Sequence, residues 1–199
     1  MWMVDFRSPE PNRDEDLFKL INLRHWKSED RLIFDDAAVV KILRRNPGAT
    51  RVKYNLTSGG RGTVNVYPIY RLVGLGASLK TVKLCGRAFK EALAERTETG
   101  GTVLHAACAH AADVSVVQWV YRQDTDAVKA TNKHRFTPLH FACAYGAPAE
   151  VVQLLVKWYP EALNTKNILG ETPHTTAVNN SAPAEVLTVL STPATLLHR

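Results

Sequence analysis

The chain of 199 residues is 45% hydrophobic and 22% charged, which suits one globular or repeat domain and is too apolar for wholesale disorder. Its odd, low count of cysteines (Cys85, Cys108 and Cys143) argues against a disulfide framework and for a reducing compartment, cytoplasmic or nuclear. No apolar run reaches the roughly 18 residues of a membrane span, and the start Met1-Trp2-Met3-Val4-Asp5-Phe6-Arg7 lacks a signal peptide's apolar core.

Residues 1–13, with Ser8-Pro9-Glu10-Pro11, are expected to be a flexible N-terminal segment. Asp16 to Trp26 suggests a helix, and Asp35 to Arg45 a second that stops at Asn46-Pro47-Gly48. Alternating Arg51 to Leu56 and Thr63 to Tyr67 flank Ser58-Gly59-Gly60-Arg61-Gly62. That pattern predicts a β-hairpin with an enlarged, basic turn. Residues 14–66 together read as a degenerate terminal repeat with a long finger, because terminal repeats are commonly atypical.

From residue 102 the sequence repeats itself. Thr102-Val103-Leu104-His105-Ala106-Ala107-Cys108-Ala109 recurs as Thr137-Pro138-Leu139-His140-Phe141-Ala142-Cys143-Ala144, at an offset of 35. Between 102–136 and 137–171, 12 of 35 positions are identical, too many in one phase for coincidence. The same offset leads forward to Thr172-Pro173 and Ala177, and back to Tyr67-Pro68, Gly76-Ala77 and Glu91-Ala92-Leu93. Four copies follow: 67–101, 102–136, 137–171 and 172–199. Each reads as a helical pair. Thr caps the first helix, Pro occupies its first turn, and Gly146 ends it. Pro148 opens a second helix with the apolar stripe Val151, Val152, Leu154, Leu155 and Trp158. Tyr159 to Glu171 is expected to be a loop with a turn at Leu169-Gly170.

Thr137-Pro138-Leu139-His140-Phe141-Ala142 resembles the signature of the ankyrin repeat, Thr-Pro-Leu-His-x-Ala, and Thr102 to Ala107 matches it except for Val103. The resemblance implies an all-α fold: an α-solenoid of stacked helix-turn-helix repeats with β-hairpin-like finger loops. It also implies a non-catalytic module that binds other proteins in a concave groove, without cofactor or metal. Carried over by position, the groove residues are Ala109, His110, Ala144, Tyr145, Asn179 and Asn180 on the helices, and Lys133, His134, Phe136, Ile168, Leu169 and Glu171 on the fingers. Phe136, Tyr145, Ile168 and Leu169 are the preferred anchors, since apolar finger tips suit an interface better than solvent.

His105-x-x-Cys108-x-His110 and His140-x-x-Cys143 have donor types that suit zinc. In the repeat register, however, the histidine braces a loop and the cysteine is a small core residue. The Gly-rich stretches at 58–62 and 74–76 lack the lysine and spacing of a phosphate-binding loop. No catalytic constellation stands out, and Asp113 and Glu150 sit where helices start and capping is the default role.

The net charge of +6 hides a split. Residues 41–90 carry 11 basic and no acidic side chains, among them Lys41, Arg44, Arg45, Arg51, Lys53 and Arg61, followed by Arg71, Lys80, Lys83, Arg87 and Lys90. Such a field attracts nucleic acid, an anionic surface or an acidic protein. It is equally compatible with a solvated face, or with pairing to Asp14-Glu15-Asp16 and Asp35-Asp36. Two functions therefore stand: protein binding in the groove, and anion binding through 41–90.

Overall fold

A computed structural model describes residues 13–24, 27–57, 62–109 and 112–192. The expected flexible start (1–12), the centre of the Gly-rich turn (58–61), His110 and the chain's last residues (193–199) lie outside the described residues.

The chain is mostly helical. α1 spans Glu15–Ile21, α2 Ser28–Leu32 and α3 Asp36–Arg45. The helix expected over 16–26 is thus shorter, closing at the Asn22 cap, whose N–H bonds Phe18 O. Asp14 and Asp35 start α1 and α3 by accepting backbone N–H groups, as short acidic side chains do at a positive helix end. β1 (Tyr54–Thr57) and β2 (Thr63–Val66) form the expected antiparallel hairpin, with Tyr54 opposite Val66 and Thr57 opposite Thr63. Tyr54, Leu56 and Val66 face inward and are buried.

Four helical pairs follow. Their first helices are α4 (Pro68–Gly74), α7 (Val103–Ala109), α9 (Pro138–Tyr145) and α11 (Pro173–Asn179). Their second helices are α5 (Leu79–Ala88), α8 (Val114–Gln123), α10 (Ala149–Trp158) and α12 (Ala184–Ser191). The short helix α6 (Glu91–Ala94) follows α5. Every first helix and every second helix starts 35 residues after its predecessor. The part of the expected loop from 159 to 171 that spans Pro160–Asn164 is a turn of 3-10 helix, matched at Thr125–Lys129. Both segments bury an alanine, Ala162 and Ala127, against the helices.

The periodicity extends to the backbone. Each first helix closes with an N–H donated back five residues: Ala77 to Leu72, Ala112 to Ala107, Ala147 to Ala142 and Ala182 to Ala177. Such a closure needs a left-handed residue before the donor. Gly76 and Gly146 supply it, and Ser181 takes the same conformation at φ 55°. The finger turns repeat as well, with Gly100, Arg135 and Gly170 all at positive φ.

α4 touches α7, α7 touches α9 and α9 touches α11. In parallel, α3 touches α5, α5 touches α8, α8 touches α10 and α10 touches α12. The core lies between these neighbours. Leu104 is 0% exposed and Leu139 1%, in line with their place on the expected inward face. Gly86 sits where α5 meets α8, with Trp119 and Ile69 so close that a Cβ would lie 2.6 Å from Trp119 Cη2.

The fingers differ from the hairpins expected of them. Only β1–β2 is a two-stranded sheet among the described residues. The loops at 97–101, 132–136 and 167–171 are tight turns, each closed by two backbone bonds: Thr97 N to Gly101 O with Gly100 N to Thr97 O, Asn132 N to Phe136 O with Arg135 N to Asn132 O, and Asn167 N to Glu171 O with Gly170 N to Asn167 O. A five-residue turn is too short for a ladder.

Candidate functional site

Each finger is built from inside. Asn132 Oδ1 accepts the N–H groups of His134 (3.0 Å) and Phe136 (2.9 Å). Asn167 Oδ1 does the same for Leu169 and Glu171 (2.9 and 3.0 Å). The fingers are joined to one another as well. Lys133 N donates to Thr99 O at 2.8 Å, and Ile168 N to His134 O at 3.0 Å. Neighbouring loop tips thus form a hydrogen-bonded row whose side chains project from a fixed backbone.

The histidines anchor this row to the helices. His140 Nδ1 accepts from Thr137 N (3.2 Å), and Nε2 lies 3.1 Å from Glu171 O. His105 repeats the arrangement with Thr102 N (3.2 Å) and Phe136 O (3.0 Å). A carbonyl oxygen only accepts, so Nε2 carries the proton and Nδ1 is the acceptor. Both nitrogens are engaged, as a bracing role requires. Burial pulls His105 down to about 4 and lowers His140 as well, so both rings are neutral at pH 7. Burial raises all three thiols, Cys85 and Cys143 to about 12 and Cys108 further; they are inert core groups, since reactivity belongs to the thiolate. Among the described residues no cluster of three or more His, Cys, Asp or Glu is placed to hold a metal ion.

Of the groove positions, Tyr145 is 54% exposed, Ile168 61% and Leu169 71%. Lys133 and His134 are exposed beside them. Ala144 and Phe136 are half-buried. Phe136 packs edge-on to His140 and Phe141, at 5.6 and 6.1 Å, so much of its ring already serves to hold finger to helix. Glu171 is engaged too. It accepts from Asn167 Nδ2 (3.1 Å) and from Asn179 Nδ2 (2.7 Å). Asn180 is exposed but donates to Thr176 O at 2.8 Å. Ala109 is 4% exposed, which corrects its reading as a surface position: it lies buried on α7, the helix that packs against both α4 and α9.

Sequence reasoning missed Phe141, which links His105 (5.1 Å) to Tyr145 (5.6 Å) and props the exposed tyrosine. It also missed the two framing asparagines, although Asn132 and Asn167 are identical across the 35-residue offset.

The basic block divides. Arg71 is 1% exposed, which removes it from any surface field. It donates to Leu23 O (3.0 Å) and Thr57 O (2.5 Å), tying α4 to the N-terminal segment and hairpin. Burial pulls it down to about 10, so it stays charged at neutral pH. Arg45 pairs with Asp14 (3.4 Å) and Asp16 (3.7 Å), and Lys53 pairs with Glu95. Arg51 lies over the Phe89 ring at 5.8 Å. Arg61 lies outside the described residues. Lys41 and Arg44 are exposed on α3, and Arg44 shares a groove of about 450 Å³ with Leu79, Lys80, Lys83, Leu84 and Arg87.

No helix among the described residues is long and apolar enough to cross a membrane. A family model for ankyrin repeats in many copies matches residues 127–177. No curated protein matches the chain.

Proposed function

From the ankyrin repeats of residues 127–177, we propose that this chain is a non-catalytic interaction module whose partner protein seats on the finger row and the exposed end of α9. Ankyrin repeats are generally protein–protein interaction modules. In this reading the four helix pairs of 67–199 stack as an α-solenoid, and 14–66 closes its N-terminal end. Side-by-side stacking gives such arrays one continuous interior and a long surface for binding.

The observation that carries the reading is the exposure of Tyr145, Ile168 and Leu169 on a backbone that does not need them there. The finger turns are closed by asparagine side chains and main-chain bonds. Large apolar groups at their tips add nothing to that closure and cost solubility. Tyrosine and branched aliphatics on rigid backbone lose little entropy on binding, which is what interface anchors need.

The test is retention of partners from native cell extract on immobilised chain at two salt concentrations. A groove dominated by apolar anchors keeps its partners as salt rises. The double variant Tyr145→Ser, Leu169→Ser should lose them while keeping its helical circular dichroism. A variant that retains every partner removes this surface as the site.

A further inference from the structure

We propose that the groove between α3 and α5 is a second docking site, independent of the finger row, for an acidic and leucine-bearing segment of a protein partner.

The groove is what remains of the basic block once its engaged members are set aside. Arg45 and Lys53 have carboxylates, and Arg71 is interior. Arg44, Lys80, Lys83 and Arg87 enter none of the ion pairs formed among the described residues, yet all four line one groove of about 450 Å³. The start of α3 is joined to the start of α5 by Asp36, which accepts from Ser78 N (3.0 Å) and Ser78 Oγ (2.7 Å). The helices start together and pack against each other, and Arg44 and Arg87 near their far ends line the same groove. Asp35 and Asp36 are the carboxylates at that end; the oxygens of Asp36 are already used by Ser78, and Asp35 Oδ1 by Ala38 N.

Helix electrostatics explains half of these cations and not the other half. Arg44 and Arg87 lie in the last turns of α3 and α5, where a positive charge complements the helix dipole. Arg122 and Lys157 occupy the last turns of α8 and α10 in the same way. Lys80 sits at the opposite end, in the first turn of α5, where a cation is disfavoured. The positions 35, 70 and 105 residues further on hold Ser115, Glu150 and Glu185. Lys83 likewise corresponds to Gln118, Gln153 and Thr188. The later repeats thus avoid both lysines, and α5 carries Lys80 against its own dipole. An anion in the groove gives them a use.

The surroundings select among anions. Leu79 and Leu84 provide apolar wall between the cations, which suits a side chain such as leucine. No aromatic ring among the described residues lines the groove, so unpaired bases would find no stacking surface there. The positive field is also short. Along the first turns of the same row of second helices it gives way to exposed Asp113, Glu150 and Glu185, which would repel a long polyanion laid there, and along the last turns it continues only as the exposed Arg122 and Lys157. A short acidic segment lying along α5 (10 residues, about 15 Å) meets the cations alone.

The experiment measures anisotropy of a fluorescein-labelled helical peptide bearing a stripe of Glu beside a stripe of Leu, titrated with the full chain. Its Gln-for-Glu counterpart, a duplex and a single-stranded oligonucleotide, and phosphatidylserine vesicles are the comparison probes. The variant Lys80→Ser, Lys83→Gln installs the residues of the next repeat, and its helicity is checked by circular dichroism. It should bind the acidic peptide about tenfold more weakly, the effect of two partly exposed charges. Arg44→Gln, on the other wall, provides a second variant and should also weaken binding. Tyr145→Ser, Leu169→Ser should leave peptide affinity unchanged, which separates this site from the finger row. Equal affinity of wild type and both groove variants overturns the proposal. So does an acidic peptide that binds no better than its Gln counterpart, or tighter capture of oligonucleotide or vesicles than of peptide.

Discussion

Acidification should loosen the link between helices and fingers through His105. The ring is completely buried, its Nδ1 accepts from Thr102 N–H, and its Nε2–H donates to the Phe136 carbonyl of the following finger. A proton added at Nδ1 would face an N–H donor and introduce a charge into the core. Burial accordingly pulls the group from 6.5 to about 4, with repulsion from Arg96 and His140 adding to it and the bond to Phe136 opposing it. Between those two pH values the unfolded chain binds the proton and the native chain does not. Stability therefore falls as pH drops from about 6.5 to about 4, and this group contributes no further change below that. At roughly 1.4 kcal/mol per pH unit, the loss is about 3 kcal/mol, a large share of a typical domain's 5–15 kcal/mol. His140, lowered by burial as well, adds in the same direction. The assay is urea unfolding followed by far-ultraviolet circular dichroism from pH 7 down to about pH 4.5. His105→Gln removes the titrating ring. It should start less stable at pH 7 but lose less on acidification than wild type. Parallel losses in both proteins would refute the reasoning, because the pH dependence would then belong to other groups.

Three further perturbations test the packing and the backbone. Ser181 holds a left-handed conformation at φ 55° where Gly146 holds φ 72°, so Ser181→Gly should raise stability by about 1 kcal/mol and Gly146→Ala should lower it by a similar amount, read as opposite shifts in urea midpoint. Gly86→Ala places a methyl 2.6 Å from Trp119 Cη2 and 2.9 Å from Ile69 Cδ1; overpacking of this kind costs about 1–3 kcal/mol, and a change in tryptophan emission should accompany it. Leu139→Ala empties a site that is 1% exposed at the centre of the helix pairs and should cost about 2–5 kcal/mol in chemical denaturation.

The helices were legible because their signals are local and recur. Thr-Pro at 137–138 and 172–173 marks two starts through a side-chain oxygen and a ring without an N–H. Leu104 and Leu139 report burial because the same apolar type returns at the same phase. The left-handed positions were legible only where glycine fills them. Gly146 reads as a stop, whereas Ser181 and Arg135 take the same backbone without a glycine to announce it. There the neighbouring hydrogen bonds, Ala182 N to Ala177 O and Asn132 N to Phe136 O, impose the conformation that the residue type alone does not favour. Charge was legible as a sum and not as a map. Arg71 and Lys80 look alike in the sequence, but one donates to two carbonyls in the interior and the other stands in solvent.

The same limit applies to surfaces, and one register position isolates its cause. Cys108, Cys143 and Val178 lie 35 residues apart on α7, α9 and α11. The first two are 0% and 1% exposed, and Val178 is 50% exposed. Their chemistry is similarly apolar and their helices begin alike, so nothing in the residue or its local pattern separates them. What separates them is the neighbour: α9 covers Cys108 and α11 covers Cys143, while no described helix follows α11 on that side. Burial in a row of helix pairs is a property of two copies at once. A single copy's pattern specifies which face seeks cover. Whether that face becomes core or contact surface depends on what lies against it, which is why Leu139 could be assigned from its phase in the sequence, Tyr145 and Leu169 only through the resemblance of their register to a known repeat, and Val178 only from coordinates.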